Sequence, residues 1–349
     1  MPKAYPVVLM LNDIHISKDN ISDFSLNWNE ALSVCDKLGI SDIAFGGDLF
    51  LSRSSQTLDV LLAVHDALLA AGKKGINVTL INGNHDKVNQ EATRGYCHVF
   101  DQHDNVWVVD EHHTLLSSEE WDFVLHLIPY FPENGSFTEK LNALVKNGLD
   151  KTRANYLYIH QGINGTLVHA SDNELSPDIF DDFEKVFVGH YHNRCPIGQN
   201  IEYIGSSRQS NFGEDENKGY TIINADGSTD FIKNQVNVRY KVMDIPVENV
   251  NTHLSDELEE IKADGRYRVK VRIHSNSTDV TGIDKENLLA AGANKVEIVT
   301  EDTEILDIRE ASLFDKYDSQ KIKENYQHFC KEKNIENVTL GLSYLSNIK

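Results

Sequence analysis

Five short segments carry side chains that could hold metal ions: Asp13-Ile14-His15, Gly46-Gly47-Asp48, Gly83-Asn84-His85-Asp86, His160, and Gly189-His190-Tyr191-His192. Aspartate, histidine and asparagine are oxygen and nitrogen donors suited to Mn, Fe or Zn rather than to a thiolate site. Glycines beside them let the backbone come close to an ion or a phosphate. Singly, each segment has a plain reading. Asp13 and His15 fit a polar turn, Asp48 a turn residue after two glycines, and His160 a hydrogen-bonded packing histidine. Gly-Asn-His-Asp and Gly-His-x-His are not routine turn sequences. The weight lies in all five occurring in this order, each behind an apolar strand.

Those strands are apolar runs at residues 7–11, 43–45, 78–81, 156–160 and 186–188. Further strands are expected at 106–109, 123–128, 201–204 and 220–224, the last entering a hairpin turn at Asn224-Ala225-Asp226-Gly227. Amphipathic patterns predict helices over 25–38, closed by Gly39, over 56–71, ending at Gly72, and over 138–146, ahead of Gly148. Strand and helix alternate through the first 240 residues, which predicts a layered α/β domain. Such sheets place their sites at strand C-terminal ends, so five ends could converge. Beyond residues 235–246 the pattern changes. Residues 266–274 alternate basic with β-branched side chains, as a half-exposed strand does. A helix at 288–293 and a strand at 295–300 complete a small α+β module. A tail rich in Lys, Glu, Asn and Tyr starts near Leu313 and predicts one helix over 319–333.

The order D-x-H, G-D, G-N-H-D, H, G-H-x-H resembles the signature of the calcineurin-like metallophosphoesterases. That resemblance implies an α/β four-layer sandwich, two facing β-sheets flanked by helices, around a dinuclear metal site. It assigns Asp13, His15 and His192 to one ion, Asn84, His160 and His190 to the other, and Asp48 as the bridge. His85 would stand beside the ions, to protonate the leaving oxygen or stabilise the transition state. The implied cofactors are two divalent ions, Mn2+ foremost. Such a pair, about 3.5–4 Å apart, can clamp an in-line phosphoryl displacement.

A narrower resemblance lies in Gly47-Asp48-Leu49-Phe50, Tyr203-Ile204-Gly205-Ser206, Phe212-Gly213-Glu214 and Lys218-Gly219. These look like the SbcD-type nuclease subunits of DNA break-repair complexes, the short bacteriophage recombination endonuclease subunits among them. The resemblance implies a nuclease domain over 1–238, a capping and DNA-binding module over 239–311, and a helical tail over 312–349 that docks on an SbcC-type ATPase. It also implies a homodimer. Leu51 stands where many of these nucleases carry a second histidine. Two other functions remain open: a stand-alone phosphoesterase acting on nucleotides or small phosphoesters, and a scaffolding subunit without catalysis. The complete ligand set speaks against the scaffold.

The chain has 349 residues, 40% of them apolar and 25% charged, with a net charge of −21. This excludes a disordered chain and a basic arm that coats nucleic acid. Most of the excess, −16, falls in residues 1–235, where divalent ions would reverse the local sign. DNA attraction would then come from the metals, from the strand around Arg268 and from a partner. Arg53 reads as an exposed loop arginine or a phosphate contact. Arg266, Arg268, Lys270 and Arg272 recur with period two, either as a solvated face or as a DNA-backbone contact, and Arg268 and Lys270 are the candidates there. Trp107, Trp121, Tyr130 and Phe131 read as core, and His65, His112 and His113 as surface or packing residues. Four cysteines without a C-x-x-C pair point to a reducing compartment. With no apolar run long enough for a signal core or a membrane span, the expected location is the cytoplasm.

Overall fold

The computed structural model describes residues 4–115, 120–166, 174–247, 263–275 and 285–300, with the single positions Leu258, Ile261, Tyr326, Cys330 and Val338. Strands β1 (Pro6–Leu11), β2 (Asp42–Phe45), β3 (Asn77–Leu80) and β4 (Val106–Val108) lie parallel in that order. On the free side of β1, β11 (Gly219–Asn224) pairs antiparallel, and β12 (Thr229–Lys233) closes that edge as a hairpin with it. The second six-stranded sheet also has four parallel strands but carries one antiparallel strand at each edge. Strands β6 (Phe123–Ile128), β7 (Ala154–His160), β8 (Lys185–Gly189) and β10 (Ile201–Tyr203) are parallel, and β5 (His113–Leu115) and β9 (Cys195–Ile197) pair antiparallel at the two edges.

Side-chain parity explains how the layers stack. In β1, Leu9 and Leu11 pack with Phe24, Trp28 and Leu68, on helices α1 (Ile21–Leu38) and α2 (Leu58–Lys73). Val8 and Met10 face the other way and pack with Phe123, Leu125 and Tyr158 of the second sheet. In β7, Tyr156 and Tyr158 join that inter-sheet core, while Leu157 and Ile159 pack with Leu141 and Leu144 of α3 (Phe137–Asn147). Both faces of each sheet are therefore buried, which is why these strands read as unbroken apolar runs. The result is the four-layer α/β sandwich: helices, sheet, sheet, helix.

Helix α1 buries Phe24, Trp28, Ala31, Leu32 and Cys35, the spacing of one helical face. It ends at Gly39, whose φ of 71° lets the Ile40 N–H turn back to the Cys35 carbonyl at 3.0 Å. The helix begins four residues earlier than its apolar pattern indicates. Helix α2 runs through Gly72 to Lys73, and the chain leaves it at Gly75, φ 70°. The short strands β5, β9 and β12 carry no alternation to reveal them. Trp107 departs from its expected core position: it is 60% exposed and lies against the His113 ring.

The C-terminal module is a three-stranded parallel sheet, β13 (Arg239–Pro246), β14 (Tyr267–Ser275) and β15 (Lys295–Thr300), with α4 (Lys285–Ala291). Met243, Val269, Val271, Ile273 and Leu288 form its core. Residues 302–349 form a second unit. The expected tail helix and docking segment lie there, outside the described residues apart from three single positions. Among the described residues no helix is long and apolar enough to cross a membrane.

Candidate metal centre

Register brings the strand ends level. Leu11 pairs with Phe45 and Phe45 with Leu80, so the turns after β1, β2 and β3 emerge side by side. The ladder persists beyond the strands: Asp13 N–H donates to the Gly47 carbonyl and His15 N–H to the Asp48 carbonyl, both at 3.0 Å. In the second sheet, His160 pairs with Gly189, which delivers His190 beside it. His160 also continues the parity of Tyr156 and Tyr158, so its ring enters the inter-sheet layer. Gly47 has φ +92°, and a Cβ there would stand 2.6 Å from His160 Nδ1, so only glycine fits.

Asp13, His15, Asp48 and His190 have φ of 53°, 50°, 56° and 99°; among the described residues these are the non-glycine positions with positive φ. Each such conformation costs about 1–3 kcal/mol and persists where the surroundings impose it. Backbone strain thus collects at the residues singled out for metal binding.

The donors fall into two groups around Asp48. Donor atoms of Asp13, His15 and His192 lie within 4.8 Å of one another. Opposite them, Asn84 Oδ1 is 3.2 Å from His160 Nε2 and 3.3 Å from His190 Nδ1. Asp48 Oδ2 stands between the groups, 3.3 Å from His160 Nε2 and 3.6 Å from His15 Nε2. Its Oδ1 accepts the His85 N–H at 2.8 Å. The His85 ring packs edge-on against His15, and its Nδ1 meets the Leu51 carbonyl at 2.7 Å. A His85 nitrogen also falls within 4.8 Å of the His15 and Asp48 donors.

These residues fit a cation. Asp13 Oδ1 is buried without a hydrogen-bond partner. Its neighbours are the Nε2 atoms of His15 at 3.9 Å and of His160 and His192 at 4.0 Å. Donors that share one ion at about 2.0–2.2 Å can stand as far as about 4 Å apart. In His160 and His192 the ring nitrogens away from the centre are already engaged. His160 Nδ1 lies 2.8 Å from the Gly46 carbonyl, and His192 Nδ1 lies 2.8 Å from Glu214 Oε1. N–H donation there leaves both Nε2 atoms to face the carboxylates, the arrangement found around metal-ligating imidazoles.

The electrostatics show the same demand for positive charge. Burial opposes a charged His160, yet Asp48 and Asp13 overcome it and raise its pKa to about 10. Burial likewise opposes charge on His192, and Glu214 raises it above the ordinary value. Asp48 is held well below the carboxylate range against burial, by His160 and His85. Burial lifts Asp13 and drives His15 well below the usual histidine value.

Several further residues support the centre from behind. Asn12, fully buried, holds the Asp13 carboxylate through its amide and accepts the Tyr158 hydroxyl at 2.8 Å. Asp86 accepts N–H bonds from Gly83 at 2.8 Å and Phe50 at 2.9 Å, lashing the β2 and β3 turns together; burial and Asp48 push its pKa up to about 7. Glu214, Ser206 and Lys218 all grip His192: the carboxylate on its ring, and the Ser206 N–H at 2.9 Å and Lys218 Nζ at 2.6 Å on its carbonyl. They were legible only as part of the stretch following Gly-His-x-His.

The structure does not bring the three substrate candidates together. Arg53 is half-buried rather than an exposed loop arginine, with Nη2 3.2 Å from His85 Nε2. Arg268 and Lys270 lie on the outer face of β14, opposite Val269 and Val271. Lys270 meets Glu297 at 3.5 Å and Arg272 meets Asp244 at 3.3 Å, while Arg266 pairs with Asp264 at 2.6 Å.

No family model matches the chain. It is 25% identical over 257 residues to a protein of Invertebrate iridescent virus 6 described as "Putative phosphoesterase 244L", covering 71% of this chain and 86% of that one. It is 26% identical over 212 residues to "Putative phosphoesterase 078R" of Invertebrate iridescent virus 3, covering 59% of each. Among solved structures, the Pseudomonas putida nuclease MPE shows 16% identity and a TM-score of 0.27 over 56% of this chain and 66% of that chain. In this four-layer sandwich both sheets supply the centre: Asp13, His15, Asp48 and Asn84 come from the first, and His160, His190 and His192 from the second.

Proposed function

We propose that the protein is a metal-dependent phosphodiester hydrolase that cuts DNA, as an SbcD-type nuclease subunit working with an SbcC-type ATPase in break processing or recombination. The observation that carries the hydrolase reading is the convergence of six donor residues around Asp48, with four of the seven held at positive φ. Asp13, His15 and His192 would hold one divalent ion and Asn84, His160 and His190 the other, with Asp48 between them. Two such ions, Mn2+ in this proposal, would supply a hydroxide near neutral pH and hold the phosphoryl oxygens. Asp48 offsets the repulsion between two cations, which a neutral ligand cannot do. Asn12 and the His190 N–H, 3.1 Å from Asp13 Oδ2, fix the Asp13 carboxylate. His85, with Nδ1 on the Leu51 carbonyl and Nε2 3.2 Å from Arg53 Nη2, stands beside these donors, where it would protonate the leaving oxygen or stabilise the transition state.

The DNA substrate is supported by the stretch from Tyr203 to Gly219, whose residues brace His192 and which resembles that of the SbcD-type subunits. The ATPase partner, the homodimer and a cytoplasmic location belong to the same proposal. A second reading, a stand-alone phosphoesterase acting on nucleotides or small esters, is favoured by the neutralised face of β14 and by the relatives' descriptions. The deciding experiment is manganese-dependent digestion of end-labelled duplex and single-stranded DNA beside bis(p-nitrophenyl) phosphate, with and without a partner ATPase. DNA cleavage supports the nuclease. Cleavage of the small ester alone supports the second reading. Metal-loaded protein that cleaves neither overturns both.

A further inference from the structure

Arg208 sits in the loop between β10 and β11 and is 5% exposed. Its Nη2 donates to the Ile14 carbonyl at 2.8 Å, the residue between Asp13 and His15. Its Nε is buried without a partner. Among the described residues no carboxylate lies within ion-pair distance of this guanidinium. Other arginines are spent: Arg153 on Asp150, Arg194 on Glu202, and Arg239, the other buried one, on two backbone carbonyls. The ionisable groups nearest to Arg208 are Asp23, Glu214 and Tyr240. Glu214 is already committed to His192, Ser210 and Asn211. A fork of five donors, buried beside the metal centre with one donor used, is costly unless an anion completes it.

We propose that Arg208 binds a second phosphate of the substrate, next along the chain from the phosphodiester held at the metal centre. The inference rests on the hydrolase reading and names the substrate class, a chain of phosphodiesters rather than a single ester. A guanidinium fork takes two phosphate oxygens at once, and its anchor on the Ile14 carbonyl ties it to the Asp13–His15 turn. The neighbouring residue points to where the chain would lead. Gln209 is bonded both ways to the Tyr240 backbone, each bond 2.9 Å, which fastens this loop to β13. Tyr240 lies opposite Arg268 in the β13–β14 register, and both Arg208 and Arg268 act electrostatically on it.

The test compares the manganese-loaded wild type with R208M and R208K on oligothymidylate of ten nucleotides and on bis(p-nitrophenyl) phosphate. R208M keeps the buried volume and removes the charge. It should raise KM for the oligonucleotide about tenfold more than KM for the small ester, with kcat for both moving together. R208K, which keeps a charge but not the fork, should show a smaller rise in the same direction. Fluorescence anisotropy of the oligonucleotide in excess EDTA should show weaker binding by R208M and a shallower salt dependence. Equal changes on both substrates, or unchanged anisotropy, would assign Arg208 to supporting the Ile14 turn and overturn the proposal. If R208M does not fold, the same split in R208K decides. A wild type that binds the oligonucleotide through Arg208 but cleaves neither substrate refutes the hydrolase reading and leaves the phosphate site standing.

Discussion

On β14, Lys270 and Arg272 stand at the surface and meet Glu297 and Asp244 on the strands to either side. At the sheet ends, Asp13, His15, Asp48 and His160 are all at most 5% exposed, and Asp13 Oδ1 has no hydrogen bond. Both regions gather charge, but only the second holds it out of water. Lys270 and Arg272 are neutralised by neighbours and partly screened by solvent, so pairs like these contribute about 0–1 kcal/mol each. The strand ends hold two carboxylates out of water in strained backbone, and among the described residues only imidazoles stand against them, with no lysine or arginine paired to either. Such an arrangement gains from a bound cation, and that separates a binding centre from a charged surface.

The comparison breaks most readily at Asp48. D48N should lower hydrolysis of a phosphodiester by more than about 100-fold and reduce bound Mn2+, read by elemental analysis and by the spectrum of free manganese. Full metal loading in D48N would remove Asp48 from the bridge. H85N should cost about 10²–10⁴-fold in kcat while metal content stays intact; loss of metal as well would make His85 a ligand. E214Q should weaken manganese binding about 10–100-fold, because His192 loses the carboxylate that orients it. Glu214 also gives the contrast a pH signature. His192 and Lys218 hold its pKa at about 2 against burial, below the ordinary 4.5. Its contribution to stability is therefore present above pH 4.5 and is lost as pH falls through about 2. Urea unfolding of the metal-free protein should show wild type and E214Q converging as pH drops across that window. The smallest effect belongs to β14: R268E with K270E should weaken DNA binding and lower the salt slope by roughly 2. An unchanged slope would leave that face as a solvated surface only.

Parity and apolar runs made the two parallel sheets legible, since strands buried on both faces cannot hide their composition. The edge strands β5 and β9, three residues each, fall below any periodic signal and exist because a neighbour offers a free ladder. Trp107 misled for a related reason: an edge strand such as β4 can turn a large aromatic outward, and nothing local marks the direction. At the centre, Asp13, His15, Asp48, Asn84, His160, His190 and His192 were readable as a set because each follows an apolar strand. Asn12, Glu214 and Arg208 were not, because their roles depend on partners far away in the chain: Tyr158, His192 and Ile14.

By itself, then, the sequence determined which strands are buried, where each ends, and which donor types stand at those ends, since all three are properties of neighbours along the chain. Tertiary structure alone decided that Asp48 stands between two donor groups, that Glu214 meets the His192 ring, and that Lys270 and Arg272 on β14 are paired with carboxylates while Arg208 is not. Those outcomes depend on register between strands and on burial. A carboxylate or a guanidinium acquires its energetic meaning from the atoms around it, and a linear chain does not specify them until it folds.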